Sequence, residues 1–153
     1  ITHVNNPNGE LVAARPWFNT TFSKLHVFNL THLSTAVFLD ADVLPMRSLD
    51  ELFATPLAGA ALPFAAAPEV FPPDTFNSGV LVVRPSAATF SSLAAATHSL
   101  GSYDGSDQGF LNRYFSTWWS SNPAHRLPFR YNVPQTLATY YRPGWDALRR
   151  GGL

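Results

Sequence analysis

The stretch Thr35-Ala36-Val37-Phe38-Leu39-Asp40-Ala41-Asp42 is an apolar run that stops at two carboxylates separated by one alanine. The run is rich in β-branched and aromatic side chains, which predicts a strand buried on both faces, the kind found in parallel sheets. In an open α/β sheet, ligands bind beyond the carboxyl ends of such strands. The two aspartates therefore stand where a ligand site is expected.

Asp40 and Asp42 are two residues apart, so on an extended chain their side chains point to the same side, with Cα atoms about 6–7 Å apart. They can then face one hard cation, directly or through water. Ligation by oxygen alone suits Mg²⁺, Mn²⁺ or Ca²⁺ rather than zinc. The alternative is a solvated turn, but two like charges beside a core strand cost stability unless a cation neutralises them.

The composition excludes several classes of function. The chain has 153 residues, a length typical of one domain. Ten basic and ten acidic side chains cancel, so no overall field favours nucleic acid or an acidic membrane surface. Cysteine is absent, which excludes disulfides, thiolate metal sites and a cysteine nucleophile. No apolar run reaches the ~18 residues that a membrane span needs.

Sequence patterns predict further helices and strands along the chain. An apolar stripe predicts a helix that ends near Asn29, and residues 48–53 predict a short capped helix. The alanine- and proline-rich run 58–67 is either a strand or low-complexity sequence. Residues 80–83 predict a second buried strand, and Ser86 is a good N-cap for the helix that follows.

Two more carboxylates precede another predicted helix. Asp104 and Asp107 stand at its positive end, where the helix dipole stabilises anions. Capping explains one of them, but not both together with the intervening glycine and the following Gln108. Lys24 is the only lysine of the chain, and it lies off the apolar stripe of the first helix. Taken alone, that position predicts a solvated surface side chain.

Six motifs follow one another along the chain: Phe22-Ser23-Lys24-Leu25-His26, Phe38-Leu39-Asp40-Ala41-Asp42, Asp50-Glu51-Leu52-Phe53, Phe76-Asn77-Ser78-Gly79-Val80, Asp104-Gly105-Ser106-Asp107-Gln108-Gly109 and Leu127-Pro128-Phe129-Arg130-Tyr131-Asn132. In this order and near this spacing they resemble the glycogenin-like members of glycosyltransferase family 8. The match runs from about Arg15 to about Tyr141. Any one motif is common, but six in register are specific.

The resemblance implies a fold and a reaction. The fold is α/β, a GT-A-type (Rossmann-like) nucleotide-diphospho-sugar transferase domain with a mixed, mainly parallel sheet. The reaction is transfer of a hexose, with glucose expected, from a UDP-sugar to a hydroxyl of a carbohydrate or protein acceptor, with retention of configuration and with Mn²⁺. A second copy of the chain, in a homodimer, is a further partner to consider, whereas nucleic acid is not.

The resemblance also implies roles for individual side chains at the nucleotide end. Asp40 and Asp42 would hold Mn²⁺ against the diphosphate, and Ala41 would lend its backbone to the nucleotide. Arg15 would contact the pyrophosphate and Lys24 the donor, which reverses the surface interpretation of Lys24. As the bond to UDP breaks, negative charge builds on the diphosphate, and these cations would stabilise it.

At the sugar end, the residues implied to bind the hydroxyls are Asn77, Ser78, Asp104, Asp107 and Gln108. Asp107 is the best match for the carboxylate near the reacting carbon, and with Lys24 and Gln108 it makes up the predicted catalytic set. These groups would tolerate an oxocarbenium-like centre. Glu69 stands where glycogenin-like enzymes carry an aspartate that contacts the donor sugar, so we expect this longer carboxylate to affect the choice of sugar.

The chain also departs from the family pattern. The opening nucleotide-binding strand is missing, and so is the closing segment that holds a metal-binding histidine and a Lys-Pro-Trp run. We therefore expect residues 1–153 to form a single domain that is incomplete at both ends. Thr139 occupies the position of the tyrosine that self-glucosylating members modify, which disfavours self-glucosylation.

Two alternatives stay open beside a cytoplasmic, glycogenin-like hexosyltransferase. One is a relative that passes another UDP-sugar to a separate glycan or polyol in the secretory pathway. Asn19-Thr20-Thr21 and Asn29-Leu30-Thr31 match the N-glycosylation pattern and would fit the Golgi lumen. The other is a non-catalytic module that binds a sugar nucleotide.

Overall fold

The computed structural model describes Val4, Asn6 and residues 18–57 and 61–151. Arg15, the residue predicted to contact the pyrophosphate, lies outside the described residues. Among the helices that are described, none is long and apolar enough to cross a membrane.

Three strands form an antiparallel sheet at the centre of the described structure. They are β1 (Ala36–Leu39), β2 (Phe64–Pro68) and β3 (Phe76–Val83), and β3 lies between the other two. β1 confirms the strand predicted before Asp40, and β2 shows that the alanine-rich run does contain a strand. β3 begins four residues earlier than the predicted segment 80–83, so it includes Asn77 and Ser78.

Helical segments accompany the sheet: α1 (Phe18–Thr21), 3₁₀ helices over Phe22–Asn29 and Asp50–Ala54, α2 (Ala87–Ala96), α3 (Asp107–Tyr114), short 3₁₀ turns at Pro123–His125 and Phe129–Tyr131, α4 (Thr136–Tyr140) and α5 (Arg142–Arg150). Ser86 caps α2, as predicted, because its hydroxyl accepts the Thr89 N–H. The cap of α3 is Ser106, whose hydroxyl accepts the Gln108 N–H, rather than an aspartate.

The core lies on both faces of β3. Its side chains alternate between two apolar clusters, as those of an extended strand must. Leu81 and Val83 pack on one side with aromatic rings that include Phe28, Phe64 and Trp118. Val80 and Val82 pack on the other side. The two clusters together hold the sheet against the segments that carry Lys24 and Asp107.

The expectation of a mainly parallel sheet fails for the described strands, because both strand pairs are antiparallel. One isolated parallel bridge, between Ala66 and Arg126, is the only parallel pairing in this part of the chain. A continuous apolar run reports burial on two faces, not strand direction. Burial on both faces is found in the central β3, whereas the edge strand β1 is only half-buried beyond Ala36. The α/β class is retained.

Candidate active site

Several of the predicted site residues that the structure describes converge where the end of β1, the start of β3 and the N-terminus of α3 meet. The Asp40 N–H donates to the Gly79 carbonyl at 2.8 Å, so the antiparallel pairing of β1 with β3 continues one residue beyond Leu39. The Ser78 N–H donates to Gln108 Oε1 at 3.1 Å, which joins β3 to α3. Lys24 reaches the same point from the 3₁₀ helix.

The Lys24 ammonium is the centre of an ion-pair network. Its Nζ lies 2.6 Å from Asp107 Oδ2 and 3.0 Å from Asp40 Oδ1. It also donates to the Ser78 hydroxyl at 3.1 Å and to the Ser78 carbonyl at 3.2 Å. Lys24, Asp107 and Ser78 are 8%, 4% and 2% exposed. Four segments of the chain therefore place one buried cation among two carboxylates and a hydroxyl.

The surface position that periodicity alone predicted for Lys24 is wrong, because the residue is 8% exposed. An α-helix has about 3.6 residues per turn, but residues 22–29 form a 3₁₀ helix, with about 3.0 residues per turn. At that period Lys24 lies on one line with the buried Val27, next to the line of Phe22, Leu25 and Phe28.

Electrostatics at Asp40 favour a further positive charge. Burial raises the pKa of the Asp40 carboxyl above its usual value, and the charges of Asp107 and Asp42 add to the rise. The Lys24 charge and hydrogen bond lower this pKa and so oppose the rise. The single ammonium of Lys24 thus faces the carboxylates of Asp40 and Asp107, so the network carries a net negative charge. A second cation beside Asp40 would stabilise the ionised carboxylate.

The two aspartates of the predicted metal site lie on a turn rather than on an extended chain. β1 ends at Leu39, and the Val43 N–H donates to the Asp40 carbonyl at 3.0 Å. Ala41 and Asp42 are exposed at the tip of this turn. Within the described residues, no three His, Asp or Glu side chains gather as a metal site. Asp40 and Asp42 are the oxygen donors that this turn offers to a cation.

Glu69 joins two amide side chains of the predicted sugar site. Its Oε2 accepts Asn77 Nδ2 at 2.9 Å and Gln108 Nε2 at 3.0 Å. Asn77 Oδ1 in turn accepts the Gly79 N–H at 2.8 Å, while Gln108 Oε1 accepts the Ser78 N–H. These backbone donors fix which way each amide points, because only an amide oxygen can accept. Glu69 therefore sets the relative position of the two amides.

Asp104 folds the loop before α3. Its Oδ1 accepts the Ser102 hydroxyl at 2.6 Å, the Ser106 N–H at 2.8 Å and the Gly109 N–H at 3.1 Å. Gly105 has a φ of 81°, a conformation that favours glycine. A Cβ at Gly109 would lie 2.3 Å from Asp104 Oδ1. Asp104 thus shapes the loop that presents Asp107 and Gln108, and its contact with a sugar stays a prediction.

Tyr103 lies beside the same carboxylates. Partial burial raises the pKa of the Tyr103 hydroxyl, as do the charges of Asp104 and Glu69, whereas a hydrogen bond with Thr75 lowers it. The hydroxyl is therefore neutral at physiological pH, and the 52% exposed ring is an aromatic surface at the edge of the site.

The sequence patterns missed two asparagines that support the site. Asn132 Nδ2 donates to Asn77 Oδ1 at 2.7 Å, and Asn112 binds the backbone of Phe76 and of Gln108. Asn132 ends one of the six motifs. Asn112 lies four residues after Gln108, on the same side of α3, and that spacing is the signal that could have identified it.

Comparison with known proteins identifies the family. The family model described as glycosyl transferase family 8 matches residues 4–143. The chain belongs to glycosyl transferase family 8. This result confirms the resemblance that the six motifs indicated.

The relatives include glycogenins of animals and fungi. The chain is 45% identical over 143 residues to glycogenin-1 of Caenorhabditis elegans, a match that covers 92% of this chain and 31% of that protein. It is 40% identical over 134 residues to glycogenin-1 of Homo sapiens, covering 88% and 37%. It is 35% identical over 141 residues to glycogenin of Neurospora crassa, covering 92% and 19%. The chain therefore spans at most about 37% of the length of these three relatives.

Proposed function

We propose that this family-8 chain forms the donor site of a retaining hexosyltransferase with a GT-A-type fold, which moves a hexose from a UDP-sugar to a hydroxyl acceptor with Mn²⁺. Glucose is the first candidate for the sugar. The observation that carries the proposal is the convergence of Lys24, Asp40, Ser78 and Asp107 in one network. The cytoplasmic location and the homodimer stay predictions, to be tested by fractionation and by sedimentation.

Asp40 and Asp42 are the residues that would hold the metal. Their oxygen atoms suit Mn²⁺, and the raised pKa of Asp40 fits a carboxylate that another cation would stabilise. Two carboxylates are enough where the phosphates of a substrate supply other ligands, as in many Mg²⁺ sites. A bound Mn²⁺ would supply positive charge for the leaving diphosphate. Arg15 is proposed to contact the same diphosphate.

Lys24 and Asp107 are proposed to act at the opposite ends of the breaking bond. Lys24 is a fixed, desolvated positive charge, the kind of group that stabilises charge developing on a leaving group. Asp107 is the carboxylate proposed to face the sugar carbon as positive charge develops there. The Ser78 hydroxyl donates to Asp107 Oδ2 at 2.8 Å. Together with Lys24 it fixes the orientation of that carboxylate.

The amide pair held by Glu69 is proposed to bind the sugar hydroxyls. Asn77 and Gln108 share the Glu69 carboxylate, so the distance between the two amides depends on the length of that side chain. Glu69 is therefore the residue that we propose affects the choice of sugar.

The test is release of UDP from UDP-glucose in the presence of Mn²⁺ and a hydroxyl acceptor. Asp107→Asn keeps the size of the side chain but removes its charge, and we expect the rate to fall by about 100-fold or more. Asp146→Asn is the matched control, because Asp146 lies in an exposed ion pair on α5, and its rate should stay within about twofold of wild type. Wild-type turnover in Asp107→Asn, or no UDP release by the folded wild-type chain, would contradict the proposal.

A further inference from the structure

Asn112 joins the start of β3 to α3 through three hydrogen bonds. Its Oδ1 accepts the Phe76 N–H at 2.9 Å, and its Nδ2 donates to the Phe76 carbonyl at 2.8 Å. The same Nδ2 donates to the Gln108 carbonyl at 3.0 Å. Because the backbone N–H of Phe76 requires an acceptor, the amide can point in only one direction. Each polar atom of this side chain therefore has a backbone partner.

The geometry of the sheet shows why Phe76 needs such a partner. Phe76 is paired with Pro68 of β2, and the adjacent pair carries the hydrogen bond, from the Glu69 N–H to the Thr75 carbonyl at 2.9 Å. In an antiparallel pair, the residue next to a bonded pair turns its own N–H and carbonyl away from the partner strand. Both backbone groups of Phe76 therefore point away from β2.

On its other side, β3 loses its strand partner before it reaches Phe76. The pairing with β1 ends at Gly79, whose carbonyl accepts the Asp40 N–H. Within the described part of the chain, no strand continues alongside Phe76. A buried N–H or carbonyl without a partner is costly, and the Asn112 amide supplies the missing donor and acceptor.

Gln108 accepts the Ser78 N–H in the same way. Two side chains of α3 therefore bond the edge of β3 where a neighbouring strand would otherwise do so. Gln108 and Asn112 are four residues apart on α3, and four residues of an α-helix rise about 6 Å. Phe76 and Ser78 are two residues apart on β3, a separation of about 6.6 Å. The spacings match, so that Asn112 binds the Phe76 N–H while Gln108 binds the Ser78 N–H.

We propose that Asn112 is a positioning residue for sugar transfer. By holding Phe76 and the Gln108 carbonyl together, it sets the separation between the sugar-binding residues of β3 and those of α3. The inference rests on the proposed function in one respect, namely that Ser78, Asp107 and Gln108 face the donor sugar. It predicts that loss of the Asn112 amide shifts the sugar end of the site and leaves the nucleotide end, at Asp40, in place.

Two variants separate this positioning role from general stability. Asn112→Asp keeps an oxygen that accepts the Phe76 N–H, but it replaces the NH₂ donor by a second oxygen, which then faces the carbonyls of Phe76 and Gln108. Asn112→Leu removes all three hydrogen bonds. Asn122→Asp is the matched control. Asn122 is exposed, and its Oδ1 accepts the Ala124 N–H, a bond that aspartate can keep.

The measurement compares dissociation constants for UDP and for UDP-glucose in the presence of Mn²⁺. In both Asn112 variants we expect the constant for UDP-glucose to rise by about tenfold, and that for UDP to change by less than about twofold. The control should change neither. If the role of Asn112 were purely structural, its loss would lower the fraction of folded protein and so raise both apparent dissociation constants equally. That result, or no change in either constant, would overturn the inference.

Hydrogen exchange keeps the inference testable if the wild-type chain binds neither ligand, a result that would count against the proposed function alone. In Asn112→Leu the amides of Phe76 and Ser78 should exchange about tenfold faster relative to that of Val82. Val82 lies in the centre of β3 and is paired with Ala65. If Ser78 keeps its wild-type protection, Asn112 does not position Gln108, and the inference is overturned. If Asn112→Leu does not fold, Asn112→Asp should show faster exchange at Ser78, because Gln108 is displaced.

Discussion

The Lys24 ammonium and the Asp107 carboxylate form a buried ion pair, with Nζ and Oδ2 2.6 Å apart. The pair joins a 3₁₀ helix to the first turn of α3, two segments that are far apart in sequence. Asp40 shares the same ammonium from the end of β1. The ion pair therefore links the stability of the fold to the geometry of the proposed active site.

Removal of the Lys24 charge should destabilise the chain strongly. In Lys24→Met the side chain remains long, but Asp107 and Asp40 lose their counter-charge in a buried position. Breaking a buried pair by removing one partner typically costs about 3–5 kcal/mol. We expect a loss of this size in the free energy of unfolding, measured by urea denaturation at neutral pH.

The control for this prediction is Arg142→Met. Arg142 pairs with Asp146 on the exposed surface of α5, where an ion pair contributes less than about 1 kcal/mol. If Lys24→Met costs no more than Arg142→Met, the Lys24 network does not stabilise the fold.

The glycine at position 109 should resist substitution. In Gly109→Ala the new Cβ would meet Asp104 Oδ1 at 2.3 Å and Ser102 Oγ at 2.5 Å, so these side chains would have to move and the hydrogen bonds that Asp104 makes in the loop would be disturbed. Overpacking of this kind costs about 1–3 kcal/mol. Thermal unfolding measures the effect, with Gly151→Ala as the control, because a Cβ at Gly151 meets its nearest atoms at 3.5 Å. Equal melting temperatures for the two variants would contradict the close approach of Asp104 to Gly109.

A shorter carboxylate at position 69 should change the choice of sugar and leave UDP affinity in place. In Glu69→Asp the carboxylate is one methylene shorter and cannot bind Asn77 Nδ2 and Gln108 Nε2 in the present geometry. We expect the ratio of affinities for UDP-glucose and UDP-galactose to change by about fivefold or more, a difference of roughly 1 kcal/mol.

The matched control for this substitution is Glu51→Asp. Glu51 is exposed and accepts the Tyr131 hydroxyl away from the amide pair. An unchanged sugar ratio in Glu69→Asp, or an equal change in Glu51→Asp, would show that Glu69 does not act on the sugar.

The sequence allowed the position of the site to be predicted because its residues lie in short motifs at the ends of strands and helices. The apolar run before Asp40 predicted β1, and the run after Ser78 predicted the core of β3. Motif order then indicated the family. Strand direction was not predictable in the same way, since burial on both faces occurs in a central antiparallel strand as well as in a parallel one.

Other features depend on contacts that no local pattern records. The burial of Lys24 follows from its contacts with Asp40, Ser78 and Asp107, which come from three other segments of the chain. The turn of Asp104 towards the Ser106 and Gly109 N–H groups depends on two glycines, Gly105 in the loop and Gly109 in the first turn of α3. The role of Asn112 follows from the absence of a strand beside Phe76 in the described sheet, and that is a property of the tertiary structure.

The most direct test of the donor site is calorimetric titration of UDP-glucose into the folded chain, with and without Mn²⁺, for wild type and Asp42→Asn. Asp42 is exposed on the turn after β1, so its substitution should leave the fold intact, as circular dichroism can verify. We expect binding that requires Mn²⁺ in the wild type and is lost in Asp42→Asn, while Asp146→Asn binds as the wild type does. Binding by Asp42→Asn with an unchanged metal requirement would show that Asp42 does not hold the metal at the donor site.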